Sequence, residues 1–538
     1  MIIFVSDMFV DDYVGGAELT TEALILDSLI PIKKIHSHSV NVNLMESNKD
    51  KVWIFGNFSN LKEECILFAA KYLKYSVLEY DYKYCVFRSP EKHINNNGSC
   101  DCESKKLAKL ISVFYKRSMT TWYMSYKQRQ KYTDKFSFLN CDNNKVLSSV
   151  FSRETLDYIK SLNIDNKNNK WVILNSPSWI KGVNNAIEYA KNNNLKYELI
   201  WNLSHRDFLK KMSESKGVIY LPPGGDTCPR FIIEAKILGC ELVLNDNVQH
   251  KNEAWFSTRE NILKYLENRT RVFWSDIENK WYLETPKHYD VLNKHKFNII
   301  VPFYNAEKWI PKCIKSVKNQ THENFMCYLI NDMSTDNSSS LIEELIKDDD
   351  RFILINNHEK RYALGNIVNT IVNFSHNLDD INIILDGDDW LSSYNVLSYL
   401  DDFYTTEECL MTYGSYVYYP NGNKGVEPSQ YPVEVIEANS FRKDSWRASH
   451  LRTFKSKLFS KLNLDDLIDD DGGFYKTAYD QALMLPLLEM AGHKAKYIDK
   501  ILLVYNRANP LNVDKVKQRL QYETAQKVRL KKPYERLF

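Results

Sequence analysis

Glycine and proline are scarce in this sequence: 17 and 15 residues among 538, together about half of the ~12% share of an ordinary chain. That excludes collagen-like repeats, long flexible linkers and Pro/Gly-rich disorder. An excess of charge of one sign is also lacking. Basic residues number 71 and acidic ones 69, a net +2; such a balance advertises no nucleic acid, although a local basic face stays open. No run approaches the ~18 apolar residues of a membrane span. The opening MIIFVSDMFVDDY has no basic stretch and meets Asp7 at once, so it reads as a buried first strand rather than a signal peptide. The ten cysteines follow no repeating frame, which suits reduced thiols in a cytoplasm. What is present is a large core, with 44% hydrophobic, 26% charged and 13% aromatic residues. The length predicts about three to four domains.

Short apolar runs alternate with helical segments through most of the chain. IIFVS and VWIFGN lie in the first 150 residues. WVILN, ELIWNL, GVIYLP and CELVLN follow a polar tract at 163–170. FNIIVPFY, MCYLINDMS, RFILINN and NIILDGDD come after a charged, aromatic stretch near 275–296. This is the rhythm of open parallel sheets, whose strands are buried on both faces and whose ligands sit beyond the strands' carboxyl ends. The predicted class is α/β, with two Rossmann-like half-domains at 1–150 and 151–290, a nucleotide-sugar-binding α/β domain at 296–510, and a basic helical segment at 511–538. The residues just past each strand therefore carry the functional reading.

Past IIVP stand Phe303, Tyr304 and Asn305; past CYLI stand Asn331 and Asp332; past INIIL stand Asp386, Gly387, Asp388, Asp389 and Trp390. Three carboxylates within four positions repel strongly unless a cation neutralises them. An oxygen-only set on a short turn suits Mg²⁺ or Mn²⁺ bound together with a diphosphate. The alternative is a solvated acidic turn, weakened here because a wholly apolar strand leads into it.

The ordered series VPFYN, NDMSTDNS, EKRYALGN and ILDGDDWL, over roughly 296–510, resembles the inverting GT-A glycosyltransferases of family two. The resemblance implies that Pro302, Phe303, Tyr304 and Asp332 contact the uracil of a UDP-sugar and that Arg361 lies near the nucleotide. It places Asp386 toward the ribose and metal, and Asp388 and Asp389 on the metal. Asn331 stands where the family often has a second Asp. The general base that an inverting transfer needs falls on Asp480, although the family's usual Glu-Asp pair is here Tyr479-Asp480. The rival run Asp469-Asp470-Asp471 reads as an exposed loop. His450 is a candidate for the acceptor side.

The first half resembles a compact GT-B glycosyltransferase of the retaining kind, through Val14-Gly15-Gly16-Ala17, Lys181-Gly182 and the run from Pro222 to Arg230 leading into Glu234. The resemblance implies a possible second donor site of Gly15, Gly16, Lys181, Asp226, Arg230 and Glu234. Asp226 stands in place of the usual Glu, the usual Arg before the Lys is absent, and the region is short for a full GT-B enzyme. Cys85, His93, Cys100 and Cys102 fall within 18 residues, but their spacings fit no standard zinc finger, and they read as ordinary thiols rather than a zinc site.

Basic residues interleave with rings at 115–135 and recur at 515–538, a pattern that could track a phosphate backbone. The tandem of transferase-like folds, with an AT-rich coding bias, is similar to tailed-phage enzymes that modify DNA. The acceptor expected on that analogy is 5-hydroxymethylcytosine in phage DNA, receiving glucose or a pentose such as arabinose in the host cytoplasm. The alternatives are transfer to a cell-surface glycan or its precursor, and a non-catalytic sugar- or nucleotide-binding protein with decayed transferase folds.

Overall fold

The computed structural model describes residues 1–282 and 294–537. The junction expected between 290 and 296 thus lies partly outside the described residues, as does Phe538. The chain forms two compact units, one of residues 2–28 and 32–281 and one made mainly of 282–538.

The first of these holds two parallel sheets. One has the order β2-β1-β3-β4-β5-β6, from β1 (Ile2–Ser6), β2 (Ile32–His36), β3 (Val52–Phe55), β4 (Lys74–Glu79), β5 (Thr120–Tyr123) and β6 (Asn144–Val146). The other has the order β10-β9-β7-β8, from β7 (Trp171–Leu174), β8 (Tyr197–Ile200), β9 (Gly217–Tyr220) and β10 (Glu241–Leu244). Both orders reverse beside their first strand, the doubly wound pattern that leaves a crevice at the strands' carboxyl ends. All five residues of β1 are buried, because helices cover both faces of a parallel sheet.

The other unit carries one eight-stranded mixed sheet, in the order β13-β12-β11-β14-β17-β16-β18-β15. Its strands are β11 (Phe297–Phe303), β12 (Phe325–Asn331), β13 (Phe352–Asn356), β14 (Ile381–Ile384), β15 (Trp390–Leu391), β16 (Met411–Tyr419), β17 (Arg452–Lys455) and β18 (Ala495–Asn506). Side-chain alternation along β11 divides the core. Phe297, Ile299, Val301 and Phe303 pack with Ile310, Cys313, Ile314 and Val317 of the helix Ile310–Lys318, a spacing that lays one apolar stripe on the sheet. Ile300 faces the other way, onto Leu364, Ile367, Val368 and Ile371 of the helix Tyr362–Phe374 and onto the helix Tyr479–Ala491.

Register then sets the site. Phe303 aligns with Asn331 and Asn331 with Asn356, so β11, β12 and β13 end together. β14 ends with Ile384 opposite Ile300, three residues earlier, and its acidic turn continues along the end of β11. β17 runs antiparallel to β14, with Arg452 opposite Ile384, which brings the start of β17 to the same edge. Among the described residues, no helix is long and apolar enough to cross a membrane.

Several residues of the two basic segments have partners within the chain. At 115–135 the rings of Tyr115, Trp122, Tyr123 and Tyr132 are buried in the core. Lys131 pairs with Glu91 at 2.5 Å, and Lys127 donates to the Asp246 carbonyl at 2.8 Å. Four of the five rings pack inward, while Tyr126 is exposed, and Lys127 and Lys131 reach partners on neighbouring elements. At the C-terminus Val528 joins the core and Arg529 donates to Gln481 at 2.7 Å and to the carbonyls of Arg442 and Asp444 at 3.0 and 2.7 Å. Lys527 pairs with Asp470 at 2.7 Å and Asp469 at 3.4 Å. This segment is a brace on the helix Tyr479–Ala491.

Candidate functional site

The aligned strand ends create a polar rim. The Asp332 carboxylate accepts N–H bonds from Arg361 at 2.8 Å and Tyr362 at 3.1 Å, and one from the Asn357 amide at 3.2 Å. It thus ties the loop after β13 to the end of β12, and one of its ~4 lone-pair positions remains for a ligand donor. Asn331 donates to Ser339 at 2.7 Å and to Asn356 at 3.0 Å while accepting from the Ser334 N–H. A carboxylate there could not donate, which explains the amide. Tyr304 is 42% exposed, with the Lys360 ammonium 3.3 Å from its ring centre. The Arg361 guanidinium turns to Glu359 at 2.9 Å. Asn305, Met333 and Tyr362, one beyond each of these strands, all adopt positive φ (+49°, +64° and +56°), a conformation that costs energy for non-glycine residues and concentrates at functional sites.

The acidic turn after β14 lies against β11. The Gly387 N–H donates to the Pro302 carbonyl at 3.1 Å, and a Cβ at 387 would sit 2.5 Å from the Phe303 Cβ. Only glycine permits that approach. The three carboxylates part company here. Asp389 is wholly buried; its Oδ1 accepts the Asn506 N–H at 2.8 Å, and its Oδ2 has no hydrogen-bond partner. Asp386 accepts from the Tyr479 hydroxyl on both oxygens, at 2.6 and 2.8 Å, with Arg452 at 3.9 Å. Asp388 accepts from the Asn509 amide at 2.7 Å.

Ligand atoms of Asp386, Asp389 and His450 lie within 4.8 Å of one another. His450 therefore belongs beside the acidic turn, and Asp386 rather than Asp388 groups with Asp389. Burial pushes both Asp386 and Asp389 above the usual carboxylate range; repulsion from Asp388 and Asp386 adds to the effect on Asp389, while Arg452 and Tyr479 oppose it at Asp386. Burial, then the Arg452 cation, hold His450 far below the usual imidazole range. It is neutral, the state that ligates a metal. A buried acceptor without a donor, carboxylates that repel and a neutral imidazole fit a divalent cation.

Asp480 lies in the first turn of the helix Tyr479–Ala491, close enough for its charge to act on Asp386 and Arg452. The residue before that helix, Ala478, has φ +47°. Thr477 on one side bonds Thr524, and Gln481 on the other accepts from Arg529, so the C-terminal helix grips both flanks of Ala478–Asp480. Asp469, Asp470 and Asp471 lie apart from this, paired with Lys527 and Lys476. Sequence reasoning missed Arg452 and the task of Tyr479. A basic residue opening a buried strand and a phenol in place of an acid were the available signals.

Residues 298–480 match the family described as Glycosyl transferase family 2. That segment, about a third of the chain, is similar to glycosyltransferase domains. The teichoic acid poly(glycerol phosphate) polymerase of Staphylococcus epidermidis is 37% identical over 116 residues, 21% of this chain and 15% of that protein. The glycosyltransferase GlyA of Streptococcus pneumoniae is 25% identical over 229 residues, 39% of this chain and 30% of that one. The chain thus spans less than a third of the length of either. A solved structure of S. aureus TarS 1-349 with UDP-GlcNAc is 16% identical, covering 39% of this chain and 58% of that one at a TM-score of 0.30.

In the other unit, Lys181 pairs with Asp226 at 2.9 Å, and both line a cavity of about 320 Å³ together with Arg88, Lys92, Trp179 and Gly225. Gly15, Gly16, Arg230 and Glu234 do not line it. The Glu18 carboxylate and the Tyr13 ring stand where a Cβ on Gly15 would point, so the helix N-terminus there already faces an acid. Glu234 is held by Arg230 at 3.0 Å and His205 at 2.9 Å. The ligand atoms of Cys85, His93, Cys100 and Cys102, expected as ordinary thiols, lie within 4.8 Å of one another.

Proposed function

We propose that the C-terminal unit is a metal-dependent, inverting glycosyltransferase that moves a sugar from a UDP-sugar to a hydroxyl of a cell-surface polymer or its precursor. The observation that carries this reading is the buried, unpartnered Asp389 Oδ2 within the Asp386, Asp389 and His450 set. Those three would hold Mn²⁺ or Mg²⁺, with Asp388 on the same turn. When bound, such an ion neutralises charge on the donor diphosphate.

The chain's own groups supply the rest. Pro302, Phe303, Tyr304, Asp332 and Arg361 form the rim that receives the nucleotide. Asp480 takes the acceptor hydroxyl proton as that oxygen bonds to the anomeric carbon. The bond from carbon to the diphosphate oxygen breaks, and its electron pair leaves with UDP. Arg452 faces the charge that develops on the leaving group. Tyr479 orients Asp386 by donating to it.

A polymer acceptor is favoured over DNA by the identity to a poly(glycerol phosphate) polymerase and by the internal partners of the two basic segments. UDP release is to be measured with a panel of UDP-sugars and Mn²⁺, against polyol-phosphate and oligosaccharide acceptors and against hydroxymethylated DNA. Turnover on the former alone is expected; a mass gain on the DNA alone reverses the acceptor assignment. In the other unit, the Lys181 and Asp226 cavity is proposed as a second site for an anionic nucleotide ligand, its volume falling in the range of small-molecule pockets. Uridine nucleotides are expected to bind it more weakly once Lys181→Met is made, and unchanged stoichiometry and affinity would dismiss it.

A further inference from the structure

We infer that Cys85, His93, Cys100 and Cys102 form a structural zinc site in the N-terminal unit. The spacing Cys-x7-His-x6-Cys-x-Cys hides the site, since its ligands come from a turn, a helix and a following loop. Cys85 lies beyond the end of β4. His93 lies on the helix Pro90–Asn97, which starts at the Ser89 cap and ends at Gly98 with φ +79°. Cys100 precedes, and Cys102 opens, the short turn Cys102–Ser104.

The distances are those of a coordination tetrahedron. Zn–S bonds of ~2.3 Å and Zn–N bonds of ~2.0–2.1 Å at tetrahedral angles imply S···S edges of ~3.8 Å and S···N edges of ~3.5 Å. The Cys85 and Cys100 sulfurs are 3.8 Å apart; His93 Nδ1 is 3.6 Å from the Cys85 sulfur and 3.3 Å from that of Cys102. All four atoms lie within 4.8 Å of one another, and Cys85, His93 and Cys102 are buried. The Phe87 N–H points at the Cys85 sulfur and the Cys102 N–H at the Cys100 sulfur, the outer-sphere donors that orient thiolate ligands. Three thiolates and one imidazole are a closed structural set, with no position open to water.

The site has a consequence for the cavity of this unit. Phe87, Arg88, Ser89 and Lys92 line that cavity and lie between the first two ligands. An ion on Cys85 and His93 pins this wall at both ends.

The test uses the full chain, purified with reductant and supplied with zinc. Metal analysis is expected to return about one zinc per chain, and Co²⁺ in its place should give the intense sulfur-to-metal charge-transfer band of thiolate ligation. Cys100→Ser is expected to weaken zinc by more than ~100-fold, the upper range for losing even an outer-sphere partner, whereas Cys141→Ser should leave it unchanged. Removal of zinc should open protease cleavage within 86–105. The proposal is overturned by absence of zinc and of the cobalt band in the reduced chain, by zinc that survives His93→Gln with Cys100→Ser, or by thiol counting that finds a Cys85–Cys100 disulfide instead. Because the readouts are metal content and spectra, they stand apart from transferase activity.

Discussion

The acidic turn makes an unusual demand: removing one of its charges should stabilise the protein when no cation is bound. Asp386 and Asp389 place oxygens within 4.8 Å of each other. At the effective dielectric of ~20 that suits such sites, two charges at that distance repel by about 3.5 kcal/mol. Burial already lifts both groups above the usual carboxylate range, and repulsion from Asp388 and Asp386 adds to the effect on Asp389. A raised folded-state pKa contributes stability that is present below the unfolded value of ~3.9 and is lost as pH rises through the folded value. Asp389→Asn removes that loss while its amide oxygen keeps the Asn506 N–H. At ~2–4 °C per kcal/mol for a unit of this size, the Tm of the C-terminal unit should rise by several degrees at pH 7 without Mn²⁺ or Mg²⁺, and not below pH 4. The Tm gain that Mn²⁺ gives the parent should vanish in the same variant. Calorimetry of the full chain across pH, with and without Mn²⁺, reads both effects. A lower metal-free Tm, or an undiminished Mn²⁺ response, would refute the assignment.

Asp480→Asn should retain UDP binding and lose transfer by ~10²–10⁴-fold, as measured by single-turnover sugar transfer; unaltered transfer removes Asp480 as the base. Tyr479→Phe deletes a hydroxyl donating to a charged group, worth ~1.5–3 kcal/mol, so Mn²⁺ titrations should show roughly ten- to hundredfold weaker binding. Since Mn²⁺ must displace a proton from the raised carboxyls, its affinity should begin to fall at a pH above the ~3.9 of a free Asp, and a fall that starts only below that value contradicts the shifts. Gly387→Ala should cost ~1–3 kcal/mol of stability through overpacking against Phe303, checked by denaturant unfolding of the C-terminal unit.

The parallel strands and the positions of Asp332 and Asp386 were legible in one dimension, because continuous apolar runs that stop at polar residues mark buried strands and their carboxyl ends; Asp480, at the start of a helix, came only from the family resemblance. Interleaved rings and cations at 115–135 were ambiguous in one dimension, and burial assigns Tyr115, Trp122, Tyr123 and Tyr132 to the core. Arg452 and His450 reach the site through the antiparallel pairing of β17 with β14, a long-range register that no local spacing encodes.

The sequence by itself determined which segments are strands, where their polar ends fall and which carboxylates crowd one turn, since these follow from hydrophobic period and local charge. Only the tertiary structure decided which of those carboxylates keeps one oxygen without a hydrogen-bond partner, that Tyr479 and Arg452 answer Asp386, and that three cysteines and a histidine converge, because such distances are set by how separate elements pack.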